Sequence, residues 1–273
     1  MARALSEPGA AKGGRWGDFW LRFASAAILG PVALFCVWYG GGAWQAFITV
    51  AAVGLALEWI HLAGLQNERR AVMIMVASLA LAVCFARNDV PVALVILALG
   101  AALLGGFYGR FAGWGVPYAG IGAIALVWLR LQPSHGLRDT LFLVLVVWST
   151  DIGAYVVGRL VGGAKMAPAI SPGKTWSGAI GGFFAGGLAG GLLAGNFHFI
   201  EIGAMPAGFL LSFFAQGGDL FESAIKRKLG VKDSGRTIPG HGGLFDRLDG
   251  FLTAAPLAAI LALIVHGGAP LWG

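Results

Sequence analysis

Long apolar segments separated by short polar connections dominate the sequence. Each is close to the roughly 20 residues that a helix needs to cross the hydrocarbon core of a bilayer. Nine such segments can be counted: 20–39, 43–62, 71–87, 90–107, 113–130, 138–158, 177–196, 199–219 and 246–267. The pattern therefore predicts an all-α, polytopic integral membrane protein with about nine transmembrane helices.

The distribution of basic residues predicts how these helices are oriented. If the N-terminus is cytoplasmic and the helices alternate in direction, sixteen Lys and Arg residues fall on the inner side and three on the outer side. The inner set is Arg3, Lys12, Arg15, Arg22, Arg69, Arg70, Arg110, Arg159, Lys165, Lys174, Lys226, Arg227, Lys228, Lys232, Arg236 and Arg247. The outer set is Arg87, Arg130 and Arg138. Because positive charge concentrates on the cytoplasmic side of membrane proteins, we expect a cytoplasmic polar tail over 1–19, a single transmembrane domain over 20–273, and an outward-facing C-terminus.

Composition agrees with this reading and excludes other classes. Of the 273 residues, 58% are hydrophobic and 12% are charged, against about 25% charged in soluble domains, and the mean hydropathy is +0.78. An ordinary soluble domain and a disordered chain are both excluded. The net charge of +6 is accounted for by membrane topology, so no nucleic-acid partner is expected. Cys36 and Cys84 lack the spacing of a zinc site or a disulfide framework.

The acidic residues divide into two groups by position. Those in tails or connections are expected to be solvated: Glu7, Asp18, Glu68, Asp89, Asp139 and Glu201. Those within or at the edges of apolar segments are Glu58, Asp151, Asp219, Glu222, Asp246 and Asp249. A charge in that environment is costly, so it is usually paired or functional. For Glu58 we favour the paired interpretation, an interfacial ion pair with His61, Arg69 or Arg70.

Helical spacing gathers several of these acids into one region. Positions i, i+3, i+4 and i+7 of a helix, which share one face, are occupied by Asp219, Glu222, Ser223 and Lys226. Asp246 and Asp249 are again three apart at the start of the ninth segment. Grouped carboxylates repel one another unless a cation lies between them, and hard oxygen ligands favour Mg²⁺. The alternative is a carboxylate network neutralised by neighbouring Lys and Arg.

A basic, glycine-rich stretch lies between the two acidic pairs. It contains Lys226-Arg227-Lys228, then Lys232-Asp233, then His241-Gly242-Gly243. Glycines allow backbone N–H groups to approach an anion, and Lys and Arg form charge-assisted hydrogen bonds to phosphates. A basic run beside a membrane is by itself more typical of contact with anionic lipids. In combination with the acids, it predicts phosphoryl or nucleotidyl transfer.

A second inner loop carries Ser171-Pro172-Gly173-Lys174-Thr175-Trp176. Its Gly-Lys-Thr is similar to a P-loop, but Pro168 stands where that motif requires its first glycine, and no strand is expected before it. A hydroxyl, an ammonium group and a following helix N-terminus can still bind phosphate. The alternative is an interfacial turn with a Trp anchor.

The residues from Ser223 to Asp249 resemble the signature of phosphatidate cytidylyltransferases, also called CDP-diacylglycerol synthases. The resemblance rests on Ser223, Lys226-Arg227, Lys232-Asp233, Gly235, Pro239 and His241 to Asp249. Upstream segments also look like this family: Thr150-Asp151, Ala154-Tyr155, Gly158, Ser171-Pro172 and Lys174-Thr175-Trp176. Ser177 departs from the family pattern, where Glu or Gln is common, and residues 1–130 resemble the family in hydropathy alone.

The resemblance implies a Mg²⁺-dependent reaction of phosphatidate with CTP, giving CDP-diacylglycerol and pyrophosphate, with room for a second cation. It further implies a bacterial inner-membrane protein, in which the charge asymmetry predicts a periplasmic C-terminus and an active site that faces the cytoplasm. There are two rival interpretations. One is a transporter, which would have acids spread through the membrane midplane, and the other is a CTP-using lipid kinase. The spacing of Gly178, Gly182 and Gly186 fits either close packing of the seventh helix or a homodimer contact.

On this resemblance, roles can be assigned residue by residue. The metal ligands are expected to be Asp219 and Asp246, with Asp249 and Glu222 as further ligands. Phosphate and headgroup contacts fall to Lys226, Arg227, Lys232 and Arg247, with Ser223, Asp233 and Arg236 as further substrate contacts. The other loop would close the site through Ser171, Lys174 and Thr175. His241 is expected to donate to a phosphate or to act as the leaving-group acid, and Asp151 to orient a base or bind a second cation.

Overall fold

The computed structural model describes residues 15–198, 200–235, 237, 242–265 and 270–272, with side chains described from residue 27 onward. In this part of the chain nine α-helices follow one another: α1 (Arg15–Tyr39), α2 (Gly41–Leu62), α3 (Arg69–Phe85), α4 (Val90–Tyr108), α5 (Arg110–Arg130), α6 (Gly136–Val161), α7 (Trp176–Ala194), α8 (Met205–Lys228) and α9 (Phe245–Ile264). Each predicted apolar segment overlaps one helix. The largest difference is α8, which continues to Lys228 because its apolar stripe extends beyond the segment. Most of the tail predicted over 1–19 lies outside the described residues, and α1 begins within it.

Six of these helices are long and apolar enough to cross a membrane: α2, α4, α5, α6, α7 and α9. Helix α3 is shorter, at 17 residues, and α8 ends in a run of three basic residues. Large apolar side chains are exposed on several helices, as expected where lipid replaces water; Phe107 is 74% exposed and Leu160 is 80% exposed. The chain is therefore a largely helical, multi-pass membrane protein.

A short β-hairpin lies between α6 and α7 of this largely helical chain, where the sequence predicted no strand. Strand β1 (Lys165–Ala167) pairs in antiparallel fashion with β2 (Ser171–Thr175), with Lys165 opposite Thr175 and Ala167 opposite Ser171. These strands are too short and too poor in alternating apolar residues to give a strand pattern in the sequence. Helix α7 follows β2 directly, so no glycine-rich loop separates strand from helix as a P-loop requires.

Helix α5 lies at the centre of the bundle, where it packs against α2, α4 and α9. Gly115 brings it close to α2, because a Cβ there would lie 2.2 Å from ring atoms of Trp59. Further along α5, the Tyr118 ring stacks on Phe245 at the start of α9, with ring centroids 5.7 Å apart. Aromatic packing thus connects α2, α5 and the beginning of α9.

The glycine stripe of α7 packs on α6 within the chain. A Cβ on Gly178 would lie 2.7 Å from the carbonyl oxygen of Ala154, and one on Gly182 would lie 2.7 Å from that of Thr150. Gly186 approaches the Thr150 hydroxyl in the same way. Of the two uses that the sequence left open for this stripe, close intramolecular packing is therefore the one observed.

Asp139 was expected to be solvated, and this prediction is wrong. Its side chain is 2% exposed, and its Oδ1 accepts a hydrogen bond from the Leu271 backbone N–H at 3.1 Å. Trp272 stacks on Phe142 with ring centroids 4.6 Å apart. The position of Asp139 at the start of the predicted segment 138–158 could not show that residues 270–272 fold back against α6.

Candidate active site

Helices α8 and α9 bring the predicted acids together through one lysine. Lys226 Nζ lies 2.8 Å from Glu222 Oε2 on the same helix and 2.5 Å from Asp246 Oδ1 in the first turn of α9. The three side chains are at most 12% exposed. The helical spacing therefore predicted the shared face correctly, and Lys226 forms the bridge between the two acid-bearing helices.

The second oxygen of Asp246 binds the loop that precedes α9. Asp246 Oδ2 accepts hydrogen bonds from the backbone N–H groups of Gly243 at 2.9 Å and Ser234 at 3.3 Å. A carboxylate in the first turn of a helix is favoured both by free N–H groups and by the helix dipole. Asp246 thus has one oxygen on Lys226 and the other on the glycine-rich loop.

A second ion pair connects the β-hairpin to α8. Lys174 Nζ lies 2.6 Å from Asp219 Oδ2, and these side chains are 24% and 37% exposed. Ser223 Oγ also donates a weak hydrogen bond to Asp219 Oδ1 at 3.4 Å. The hairpin therefore reaches the same cluster as predicted, and the Lys174–Asp219 pair forms its more exposed end.

Two polar atoms at the buried end of the cluster lack partners. Among the described residues, Glu222 Oε1 and the Tyr118 hydroxyl are buried with no hydrogen-bond partner. Asp249 experiences electrostatic repulsion from Asp219, Glu222 and Asp151. Its Oδ1 accepts a hydrogen bond from the next backbone N–H, that of Gly250, at 2.7 Å. The cluster therefore contains more carboxylates than the two lysines that pair with them, together with an unused acceptor on Glu222.

Three of the carboxylates that the sequence assigned to a metal are paired with lysines: Lys226 lies between Glu222 and Asp246, and Lys174 contacts Asp219. In the described part of the chain, no group of three or more His, Cys, Asp or Glu side chains is arranged to hold a metal ion. The contacts of Lys226 and Lys174 match the neutralised network that the sequence had left open as an alternative. Mg²⁺ binding by these carboxylates stays a prediction.

The hydroxyls of the hairpin region serve local structure. Thr175 Oγ1 accepts the Gly178 N–H at 3.1 Å as the N-cap of α7 and lies 3.1 Å from Ser177 Oγ. Ser177, where this chain departs from the family pattern, donates to the Gly162 carbonyl. Ser171 is a strand residue that pairs with Ala167. These contacts hold the hairpin against α7 beside Lys174.

Arg227, another predicted substrate contact, binds backbone carbonyl groups. Arg227 Nε donates to the Ile170 carbonyl at 3.0 Å, and its Nη1 donates to the Val231 carbonyl at 3.4 Å, so this guanidinium ties α8 to the hairpin. Four other residues assigned to the site from the sequence are exposed: Lys232, Asp233, Arg247 and Asp151. Arg236 and His241 lie outside the described residues.

Glu58 is the residue that the sequence interpretation misread. In place of an ion pair with His61, Arg69 or Arg70, this 3% exposed carboxylate accepts hydrogen bonds from the loop and from the start of α9. Its donors are Ser234 Oγ, Thr237 Oγ1, Leu244 N and Phe245 N. The sequence contained two signals for this contact. Glu58 lies inside an apolar segment, and α9 is preceded by a leucine, whose side chain cannot cap the helix.

Comparison with known proteins identifies the relatives of this chain. The profile of the Cytidylyltransferase family matches residues 20–265. A phosphatidate cytidylyltransferase of Brucella suis is 40% identical over 267 residues, covering 89% of this chain and 93% of its own. One of Staphylococcus saprophyticus is 44% identical over 150 residues, covering 54% of this chain and 56% of its own.

Proposed function

Because the chain belongs to the cytidylyltransferase family, we propose that it converts phosphatidate and CTP to CDP-diacylglycerol and pyrophosphate. The observation that carries the proposal is the cluster of Lys226, Lys174 and their carboxylate partners, which unites the two halves of the resemblance at one place. Relatives similar over nearly the whole chain carry the name of this activity. The membrane setting suits a substrate whose acyl chains stay in the bilayer.

The reaction requires neutralisation of negative charge on the phosphates more than activation of a nucleophile. A phosphate oxygen of phosphatidate forms a bond to the α-phosphorus of CTP, while the bond from that phosphorus to the β-phosphate bridging oxygen breaks and pyrophosphate leaves. The nucleophile is already anionic, so the protein has to bring two anions together and neutralise developing charge. Lys226 and Lys174 form ion pairs with carboxylates of the cluster, and they would exchange carboxylate contacts for phosphate contacts when substrates bind.

The chemistry of the cluster fits a hard divalent cation. Its donors are all oxygen, its carboxylates repel one another, and Glu222 Oε1 is buried without a partner among the described residues. Asp219, Glu222, Asp246 and Asp249 would hold Mg²⁺, which would neutralise phosphate charge when bound. Asp151 lies within electrostatic range of the same cluster and would serve a second cation or the cytosine base.

We further infer nine transmembrane spans in one catalytic domain, a cytoplasmic N-terminus, a periplasmic C-terminus and an active site on the cytoplasmic side of the inner membrane. Two observations support this topology. The nine helices of the described residues overlap the nine apolar segments, and the basic residues divide sixteen to three between the two sides. CTP would then reach the site from the cytoplasm.

The direct test is incubation of the purified protein with phosphatidate, Mg²⁺ and CTP labelled at either the α- or the γ-phosphate. Label from the α-phosphate in the lipid fraction, with release of pyrophosphate, is the expected result. Transfer of only the γ-label would identify a kinase and contradict the proposal. Asp246→Asn, which removes a charge while keeping the shape of the side chain, should abolish turnover in a folded protein; normal turnover at limiting Mg²⁺ would refute the metal assignment.

A further inference from the structure

Glu58 of α2 connects two segments that lie far from it in the sequence. Ser234 Oγ donates to Glu58 Oε2 at 3.0 Å, and Thr237 Oγ1 donates to Oε1. From the beginning of α9, the Leu244 N–H donates to Oε1 at 2.6 Å and the Phe245 N–H donates to Oε2 at 2.9 Å. One buried carboxylate therefore holds both flanks of the loop that leads into α9.

The start of α9 requires an acceptor that its own sequence does not provide. The first N–H groups of a helix have no partner within the helix, and the N-cap residue here is Leu244, whose side chain cannot accept a hydrogen bond. Glu58 takes that place from another helix, and its negative charge lies at the end of the helix that favours anions. Four donors also satisfy a carboxylate whose burial would otherwise be unfavourable.

Two glycines make this arrangement possible. A Cβ on Gly243 would lie 1.8 Å from Ser234 Oγ and 2.8 Å from Glu58 Oε2, and one on Gly235 would lie 3.0 Å from Glu58 Oε1. Side chains at either position would separate the loop from the carboxylate. These glycines therefore serve the close approach to Glu58.

The same backbone is held from its other side by Asp246. Its Oδ2 accepts the N–H groups of Ser234 and Gly243, which neighbour the groups bound to Glu58, while its Oδ1 contacts Lys226. Any change in the direction of the first turn of α9 moves Asp246 relative to Lys226, and Asp249 with it. The geometry points to Glu58 as a positioning residue, which acts on the reaction by fixing this turn of α9; this inference rests on the role proposed above for Asp246.

Glu58→Gln tests the inference with little change in volume. The amide nitrogen of Gln cannot accept a hydrogen bond, and each oxygen of Glu58 currently accepts one backbone N–H of α9. Whichever way the amide is turned, one of Leu244 and Phe245 loses its acceptor, whereas the two hydroxyls can rotate. Because small misplacements of catalytic groups lower rates strongly, we expect kcat to fall about 10- to 100-fold, with KM for CTP and phosphatidate nearly unchanged.

Glu68→Gln is the matched control, since Glu68 is exposed and makes no side-chain capping bond at the start of α3. Its kcat should equal that of the unchanged protein. Hydrogen exchange should show faster exchange of amides over 242–248 in Glu58→Gln and unchanged exchange in α2. A folded Glu58→Gln protein with normal kcat would overturn the inference, as would a fall that reflects only a smaller fraction of folded enzyme.

If Glu58→Gln does not fold, the double variant Ser234→Ala with Thr237→Ala tests the role of Glu58 instead. This pair removes the hydroxyl donors and leaves the carboxylate on α9, so we expect a several-fold fall in kcat at constant KM, and a normal kcat would refute the inference. Asp246→Asn separates this failure from failure of the proposed function. An inactive Asp246→Asn beside a normal Glu58→Gln contradicts the role of Glu58 alone, whereas an active Asp246→Asn contradicts the proposed site itself.

Discussion

Lys226→Met is the most informative perturbation of the cluster. The substitution keeps an unbranched side chain of similar length and removes the ammonium group, which lies 2.8 Å from Glu222 Oε2 and 2.5 Å from Asp246 Oδ1. Glu222 already has one buried oxygen without a partner among the described residues. Two carboxylates on neighbouring helices would then face each other without the cation that bridges them.

The size of the effect follows from the burial of these groups. All three side chains are at most 12% exposed, so solvent screens them little, and removing one member of a buried ion pair costs about 3–5 kcal/mol. We expect a loss of stability in this range. Turnover should fall about 100-fold or more, because a preorganised positive charge is lost from the site proposed for phosphate chemistry.

Thermal or denaturant unfolding in detergent micelles measures the loss of stability of Lys226→Met, and the labelled-CTP assay measures its fall in turnover. Lys228→Met is the control, because Lys228 is exposed two residues further along the same helix, and it should change stability by less than about 0.5 kcal/mol. Adding Glu222→Gln to Lys226→Met should recover part of the lost stability by removing one uncompensated charge. Turnover should stay low. A double variant less stable than Lys226→Met alone would refute the electrostatic reasoning.

Three further outcomes are expected. Lys174→Met should change stability by less than about 1 kcal/mol because its ion pair is partly exposed, while raising KM for CTP; an unchanged KM in the steady-state assay would argue against phosphate contact by the hairpin. Gly182→Leu should lower the thermal midpoint in detergent, since its Cβ would lie 2.7 Å from the Thr150 carbonyl, whereas Gly217→Ala, with nothing within 4 Å, should be nearly neutral. A topology reporter fused after Gly273 should report the periplasm, and a cytoplasmic signal would contradict the nine-span topology.

The sequence predicted those features that depend on near neighbours in the chain. The lengths of the apolar segments located the nine α-helices of the described residues, because a bilayer requires apolar stretches of a set length. Helical periodicity placed Asp219, Glu222 and Lys226 on one face, and Asp246 and Asp249 at one helix end. In each case the relevant separation is three to seven residues, which helix geometry determines without knowledge of the tertiary structure.

Features that depend on packing between distant segments could not be predicted in this way. Glu58 and its four donors are separated by 176 to 187 residues, and a contact over that distance depends on how α2 packs against α9. The Lys174–Asp219 pair depends on a hairpin whose strands have no alternating apolar pattern. The guanidinium of Arg227 has the chemistry expected of a phosphate ligand, but in the structure it binds backbone carbonyls, one of them in the hairpin.

These distant contacts share one physical feature: charged side chains tie the loops to the helices. Glycine and small residues give the helical frame its close packing, as on the shared face of α6 and α7, but the loops at its edge bury too few apolar side chains to be held in that way. Glu58 therefore holds the loop before α9, and Arg227 and Lys174 hold the hairpin against α8. Charge-assisted hydrogen bonds are directional and stronger than neutral ones, so they can fix a loop of glycine and polar residues. The charges that shape this site are thus of two kinds, those held by backbone groups, such as Arg227, and those held by an opposite charge, such as Lys174 and Asp219.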